Sequence, residues 1–133
     1  EMSSEYDSIP LKIEDCRPLI LSTIFFNGRE RHESDLMLDT GSALGLLLKT
    51  TDPKKFFNGM SKKVLGYGLN GNVIGSEAMT EKIILETFEI LRPMMAGITL
   101  SAYHNYGSVG MEIMKDYAVV LNYCKSYAGF KRL

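Results

Sequence analysis

Cysteine is scarce in this chain: Cys16 and Cys124 are the only two, one near each end. Two are too few for a disulfide scaffold. They pair only if the fold brings their Cα atoms within about 7 Å; otherwise they are free thiols, buried or unrelated. Histidine is as rare, with His32 in a charged stretch expected to be loop and His104 beside Tyr103 and Tyr106. No metal-type spacing links these histidines to the cysteines, so no metal or other cofactor is expected. Two isolated histidines also give no ground for a Ser-His-Asp arrangement. A basic excess is missing too: the net charge is -1 and the pI about 6.2. The pairs Lys54-Lys55 and Lys62-Lys63 are too small to make a phosphate-collecting field, which excludes nucleic acid as an expected partner. No apolar run approaches the length that spans a bilayer. The opening Glu1-Met2-Ser3-Ser4-Glu5 is polar and acidic, so no signal peptide is expected in this segment. It does not begin on Met and is read as a processed or excised piece of a longer protein.

What is present suffices for one domain. The 133 residues are 45% hydrophobic and 23% charged, which supports one real core and argues against disorder as the dominant state. Residues 1–10 read as a flexible lead ending at Pro10. Residues 18–26, Pro-Leu-Ile-Leu-Ser-Thr-Ile-Phe-Phe, are dense in β-branched and aromatic side chains and predict a strand. Asn27-Gly28 is the dipeptide favoured in tight hairpin turns. A short apolar strand over 35–38 then delivers Asp39 at its end.

Residues 43–48 are apolar and bounded by turn formers, so they predict a buried strand; Gly45 and the short length argue against helix. A polar segment from Asp52-Pro53 to Lys63 fits a short helix or a loop. Residues 66–75 carry four glycines and predict a bending hairpin or mobile loop. Residues 82–85 and 87–91 read as two strand pieces, although 81–89 can also be written as helix. Pro93 interrupts before a further strand over 95–100. A short helix over 111–117 is followed by strands at 118–123 and 127–130 that close as a hairpin. Many short strands and little helix predict an all-β, barrel-like domain. The division drawn is a lead over 1–16 and a single lobe over 17–133, with no internal repeat.

One cluster carries chemistry. Asp39 stands at the end of an apolar strand and is followed by Thr40-Gly41-Ser42. The strand holds the carboxylate on a rigid element, the glycine permits a sharp turn, and the two hydroxyls are placed to orient the carboxylate oxygens. The phosphatase alternative needs Asp-x-Asp-x-Thr or Asp-Lys-Thr-Gly-Thr, and the second Asp and the Lys are absent. A phosphate cradle at 66–75 needs a following helix and a placed Lys, which the pattern does not supply. The eight methionines fit core packing or a lobe interface better than any cofactor site.

The run Leu38-Asp39-Thr40-Gly41-Ser42 resembles the Asp-Thr-Gly signature of pepsin-like and retroviral-type aspartic proteases. Ser108-Val109-Gly110, the short helix after it and the strand ending at Asn122-Tyr123 are similar to the family's terminal pattern. Ser108 replaces the usual apolar residue there, and Asn122 a commonly acidic one. The glycine-rich 66–75 lies where the family has its flap, with Tyr67, Gly68 and Gly71 as flap or substrate contacts. The likeness is nearest to bacterial pepsin/retropepsin-like domains, some of them envelope proteins with an appended PDZ domain.

This resemblance implies an acid-protease, retropepsin-like closed β-barrel lobe with one short C-terminal helix. It implies Asp39 as the catalytic residue, Thr40 as a lock between lobes, Gly41 as the turn and Ser42 as a hydrogen bond to the carboxylate. An extracytoplasmic setting and a peptide or protein substrate follow from the same likeness. Peptide hydrolysis by this chemistry needs two carboxylates sharing a proton, and Asp7, Asp15, Asp35, Asp52 and Asp116 lack the Thr/Ser-Gly context. The second carboxylate is therefore expected from a homodimer partner or from a second lobe outside this segment. The alternative is a non-catalytic peptide-binding or structural module on the same fold.

Overall fold

Strand β3 (Arg17–Phe26) buries Leu19, Ile20, Ile24 and Phe26 and is the hub of the domain. It pairs antiparallel with β4 (Arg31–Leu38) along one edge and with the end of β7 (Gly71–Leu85) along the other. From β4 the sheet continues through β10 (Gly107–Val109), which lies parallel to it, to β5 (Leu46–Thr50), antiparallel to β10. Next come β9 (Met94–Leu100), parallel to β5, and again β7, antiparallel to β9. The order β3–β4–β10–β5–β9–β7 thus returns to β3 as a ring of six paired strands. The computed structural model describes residues 5–26, 31–51, 62–69, 71–92, 94–100 and 106–133.

Shorter pieces attach to this ring. β2 (Lys12–Glu14) pairs with the start of β3, β6 (Lys63–Gly68) forms a hairpin with β7, and β8 (Phe88–Ile90) folds back on β7. A separate three-stranded sheet has β12 (Tyr127–Arg132) between β1 (Asp7–Pro10) and β11 (Tyr117–Asn122). Helix α1 (Met111–Met114) leads from β10 into β11.

Alternation explains where the core lies, because side chains on a strand point to opposite faces in turn. Leu36 and Leu38 of β4, Leu46 and Leu48 of β5, and Ile83 and Leu85 of β7 are all buried in one cluster. Val109, Ile113, Ile9 and Phe130 join the same cluster, so the two sheets share one core. The Phe130 ring stacks on Phe88 at 5.4 Å between centroids, and Tyr117 meets Phe88 edge-on at 5.3 Å. Such aromatic contacts add to the burial term where the sheets meet.

The expected elements appear with shifted bounds. The all-β class and the short helix before a closing hairpin are as expected, and the 66–75 stretch is a hairpin. β4 starts at Arg31 rather than at Asp35, so His32 lies in a strand and not in a loop. Its polar residues pair with 22–25 of β3 and alternate between exposed and half-buried, which hid the strand. β5 starts at Leu46 rather than 43, because residues 42–45 are engaged by the backbone of 110 and 111. The segment expected as a lead up to residue 16 contributes β1 and β2 instead, and Ile9 is only 1% exposed.

Cys16 and Cys124 are free and exposed rather than buried. Asp15 and Cys16 both have positive φ, 49° and 61°, between the paired residues Glu14 and Arg17. That is the backbone of a tight two-residue hairpin turn. The Asn27-Gly28 turn, most of the polar stretch after Asp52, Pro93 and His104 lie outside the described residues. Among the described residues no helix is long and apolar enough to cross a membrane.

Candidate active site

The loop that follows β4 is stitched to the segment that follows β10. Asp39 N–H donates to the Val109 carbonyl at 2.9 Å, and Gly110 N–H donates to the Gly45 carbonyl at 2.9 Å. Met111 N–H donates to the Ser42 carbonyl at 2.8 Å. Residues 39–45 are thereby held from both ends against the start of α1. A side chain at Gly110 would not fit, since an added Cβ would lie 2.0 Å from the Leu44 carbonyl oxygen. Gly107 is as tightly confined, with the Leu47 carbonyl oxygen 2.0 Å from its Cβ position. These glycines let β10 slide in between β4 and β5.

Within the loop, the Gly41 N–H donates to Asp39 Oδ1 at 2.9 Å. A carboxylate accepting a backbone N–H is oriented by the main chain itself, which moves less than a side chain. The hydrogen bond expected from the Ser42 hydroxyl is thus supplied by Gly41, the residue expected only to turn the chain. Thr40 is exposed, Ser42 half-buried and Asp39 itself half-buried. Asp39 is therefore fixed in place yet open to solvent on one side.

That open side is a cavity of about 160 Å³. Ser108 is in register with both Met37 of β4 and Leu47 of β5, so the three side chains share one face of the sheet, opposite the Leu36 and Leu46 face. With Gly107 they form the floor of the cavity, Met37 and Leu47 supplying its apolar part and Ser108 a hydroxyl. Asp39 and Tyr106 stand at its walls, as do Lys49, two residues beyond Leu47, and Arg17, two before Leu19.

Charge in the cavity is mixed. Burial holds the Lys49 ammonium below the usual lysine range, the nearby Arg17 lowers it further, and Asp39 opposes both. The Tyr106 hydroxyl donates to Glu14 Oε1, and Lys12 Nζ sits 3.1 Å from Glu14 Oε2. The Tyr106 and Lys12 hydrogen bonds hold the Glu14 carboxyl below its ordinary range, and the Glu14 bond pushes the Tyr106 phenol up. Tyr106 is thereby anchored as one wall of the cavity.

The glycine-rich hairpin is a separate feature. Its strands pair Tyr67 with Asn72 and Gly68 with Gly71, with a register shift between Val64 and Gly66. Gly71 has φ of +108°, a conformation that favours glycine. Tyr67 is 85% exposed and Leu69 fully so. None of Tyr67, Gly68 and Gly71 lines the cavity at Asp39. Arg17, Lys49 and Tyr106, by contrast, had no place in the motif reading. Strand alternation counted from Asp39 and Leu47 marks Lys49, but nothing local marks Arg17 or Tyr106.

The chain is similar in structure to a retropepsin-like aspartic protease from Rickettsia conorii, with a TM-score of 0.64 and 15% sequence identity. The superposition covers 94% of this chain and 90% of that one. The fold is retropepsin-like. No protein-family model and no curated protein matches the sequence. In this retropepsin-like lobe Asp39 belongs to the loop pinned by β10 and α1. Among the described residues no three His, Cys, Asp or Glu side chains gather as a metal site.

Proposed function

We propose that this chain is one lobe of an aspartic endopeptidase in which Asp39 supplies one of two catalytic carboxylates. The observation that carries the reading is the Asp39 carboxylate, oriented by the Gly41 N–H at 2.9 Å and open to a cavity, on a retropepsin-like fold. Thr40, next to it and exposed, is assigned to contact with the second lobe. That lobe brings the other carboxylate, either as a second copy of this chain or as further polypeptide.

The chemistry follows from two carboxylates sharing one proton, since like charges at that separation do not both ionise. The ionised one takes a proton from a water, whose oxygen bonds to the scissile carbonyl carbon. The protonated one gives its proton to the carbonyl oxygen. Collapse of the resulting diol breaks the C–N bond: the departing nitrogen takes the proton held by one carboxyl, and a diol hydroxyl gives its proton to the other, which restores the singly protonated dyad. An extended peptide under the hairpin of Tyr67, Gly68 and Gly71 is the substrate this reading assigns, held by strand-like backbone hydrogen bonds.

The deciding experiment is Asp39→Asn assayed on peptide substrates at mildly acidic pH, with circular dichroism to follow the fold. Cleavage should vanish while the spectrum stays unchanged. Undiminished cleavage would sink the assignment of Asp39. Peptide binding without cleavage by the unmodified chain would instead make it a binding module on the same fold.

A further inference from the structure

The cavity beside Asp39 carries two cations, Arg17 and Lys49, against the one carboxylate of Asp39, so cations outnumber anions in its lining. Among the described residues neither Arg17 nor Lys49 has an ion-pair or hydrogen-bond partner. Both line the cavity, with Met37 and Leu47 at its floor. Its volume of about 160 Å³ leaves room for a short side chain, and a glutamate there would lay two methylenes on Met37 and Leu47 and bring a carboxylate to the cations. Of the opposite charges nearby, Glu14 is matched by Lys12 and Tyr106, while Asp39 attracts Lys49 and offsets only one of the two cations. Burial and the Arg17 charge disfavour the Lys49 ammonium and Asp39 favours it; an incoming anion adds to the Asp39 attraction and offsets the repulsion between the two cations.

We infer that this cavity is a subsite for an acidic side chain, with Lys49 and Arg17 as its specificity-determining residues. The assignment of cleavage next to that side chain rests on the aspartic-protease reading above; the assignment of binding does not.

The test uses peptides identical except for Glu, Gln or Lys at the positions flanking the scissile bond, above about pH 5, where a free Glu carboxyl is ionised. The unmodified chain should cleave the Glu peptide about tenfold more efficiently in kcat/KM than the Gln peptide, the scale of one charge-assisted hydrogen bond. Lys49→Gln should lower that ratio severalfold with Arg17 left in place, Lys49→Glu should turn the preference toward Lys, and added salt should compress it. In parallel, Asp39→Asn is titrated with the same peptides carrying a non-cleavable bond, followed by fluorescence anisotropy. Glu-selective binding that depends on Lys49, with no cleavage by the unmodified chain, upholds the subsite and fails the protease reading. Cleavage with a Glu to Gln ratio near one, or a ratio that Lys49→Gln leaves unchanged, overturns the subsite and leaves the protease reading standing. Neither binding nor cleavage of any of these peptides overturns both.

Discussion

The Asp39 N–H donates to the Val109 carbonyl at 2.9 Å, so the backbone beside the candidate catalytic carboxylate is fixed by a strand far along the chain. The next residue, Gly110, completes that junction by donating to Gly45. A methyl group there would lie 2.0 Å from the Leu44 oxygen and 2.7 Å from the Ser42 oxygen, both backbone atoms that cannot rotate away. Gly110→Ala should therefore destabilise the chain by about 3 kcal/mol or more, the range of severe overpacking. Urea unfolding checks this; a midpoint within error of the unmodified chain would mean that the junction is not formed.

Gly41→Ala separates orientation from stability. An added Cβ there meets only Asp39 Oδ1, at 3.2 Å, and the residue is exposed. Stability should change by less than about 1 kcal/mol. The carboxylate, however, must shift by a few tenths of an ångström, and misplacement on that scale costs turnover. The expected result is a fall in kcat of about tenfold or more with a nearly unchanged unfolding midpoint. Equal loss of both would assign Gly41 to the fold alone.

Sequence pattern exposed the strands whose apolar residues alternate or cluster, such as β3 and β9, and it placed Asp39 by its neighbours. It missed β1 and β2 because four- and three-residue strands hold too little pattern, and Ile9 is the lone buried residue of β1. The start of β4 escaped for a related reason: Arg31, His32, Glu33 and Ser34 are polar, and their partner is β3 rather than the core. The cavity was illegible because Arg17, Lys49 and Tyr106 meet only through the β3–β4–β10–β5 register. Hydrogen-bond geometry at Asp39 was likewise unreadable, since a backbone donor leaves no mark in residue type.

Acid should loosen the chain. Glu5, Glu14 and Glu112 each have a carboxyl held below its ordinary value, chiefly by hydrogen bonds from Lys131, Tyr106 and Lys115 respectively. A depressed folded-state value means that the stabilisation is complete above the unfolded value and is lost as pH falls through the folded one. Melting temperature should thus be insensitive to these groups near neutrality and fall below about pH 4.3. Glu14→Gln should flatten part of that acid slope. A slope identical in the variant would show that Glu14 titrates alike in both states.

Ile9 tests whether the first strand belongs to the lobe. Its side chain is 1% exposed and sits in the same core cluster as Phe130, while β1 pairs along β12 from Asp7 opposite Phe130 to Pro10 opposite Tyr127. The Leu11 N–H continues the attachment by donating to the Ser126 carbonyl at 2.8 Å. Removing three buried carbons from a site walled by β-sheet leaves a cavity that such walls do not readily collapse into. Ile9→Ala should cost about 2–5 kcal/mol, the usual range for a buried Ile to Ala change. Ser8→Ala, on the exposed face of the same strand, serves as the control and should stay within about 0.5 kcal/mol. Comparing the two by urea denaturation isolates burial from strand pairing, which both variants retain. If Ile9→Ala behaved like Ser8→Ala, β1 would be detached in solution and the lobe would begin after Pro10.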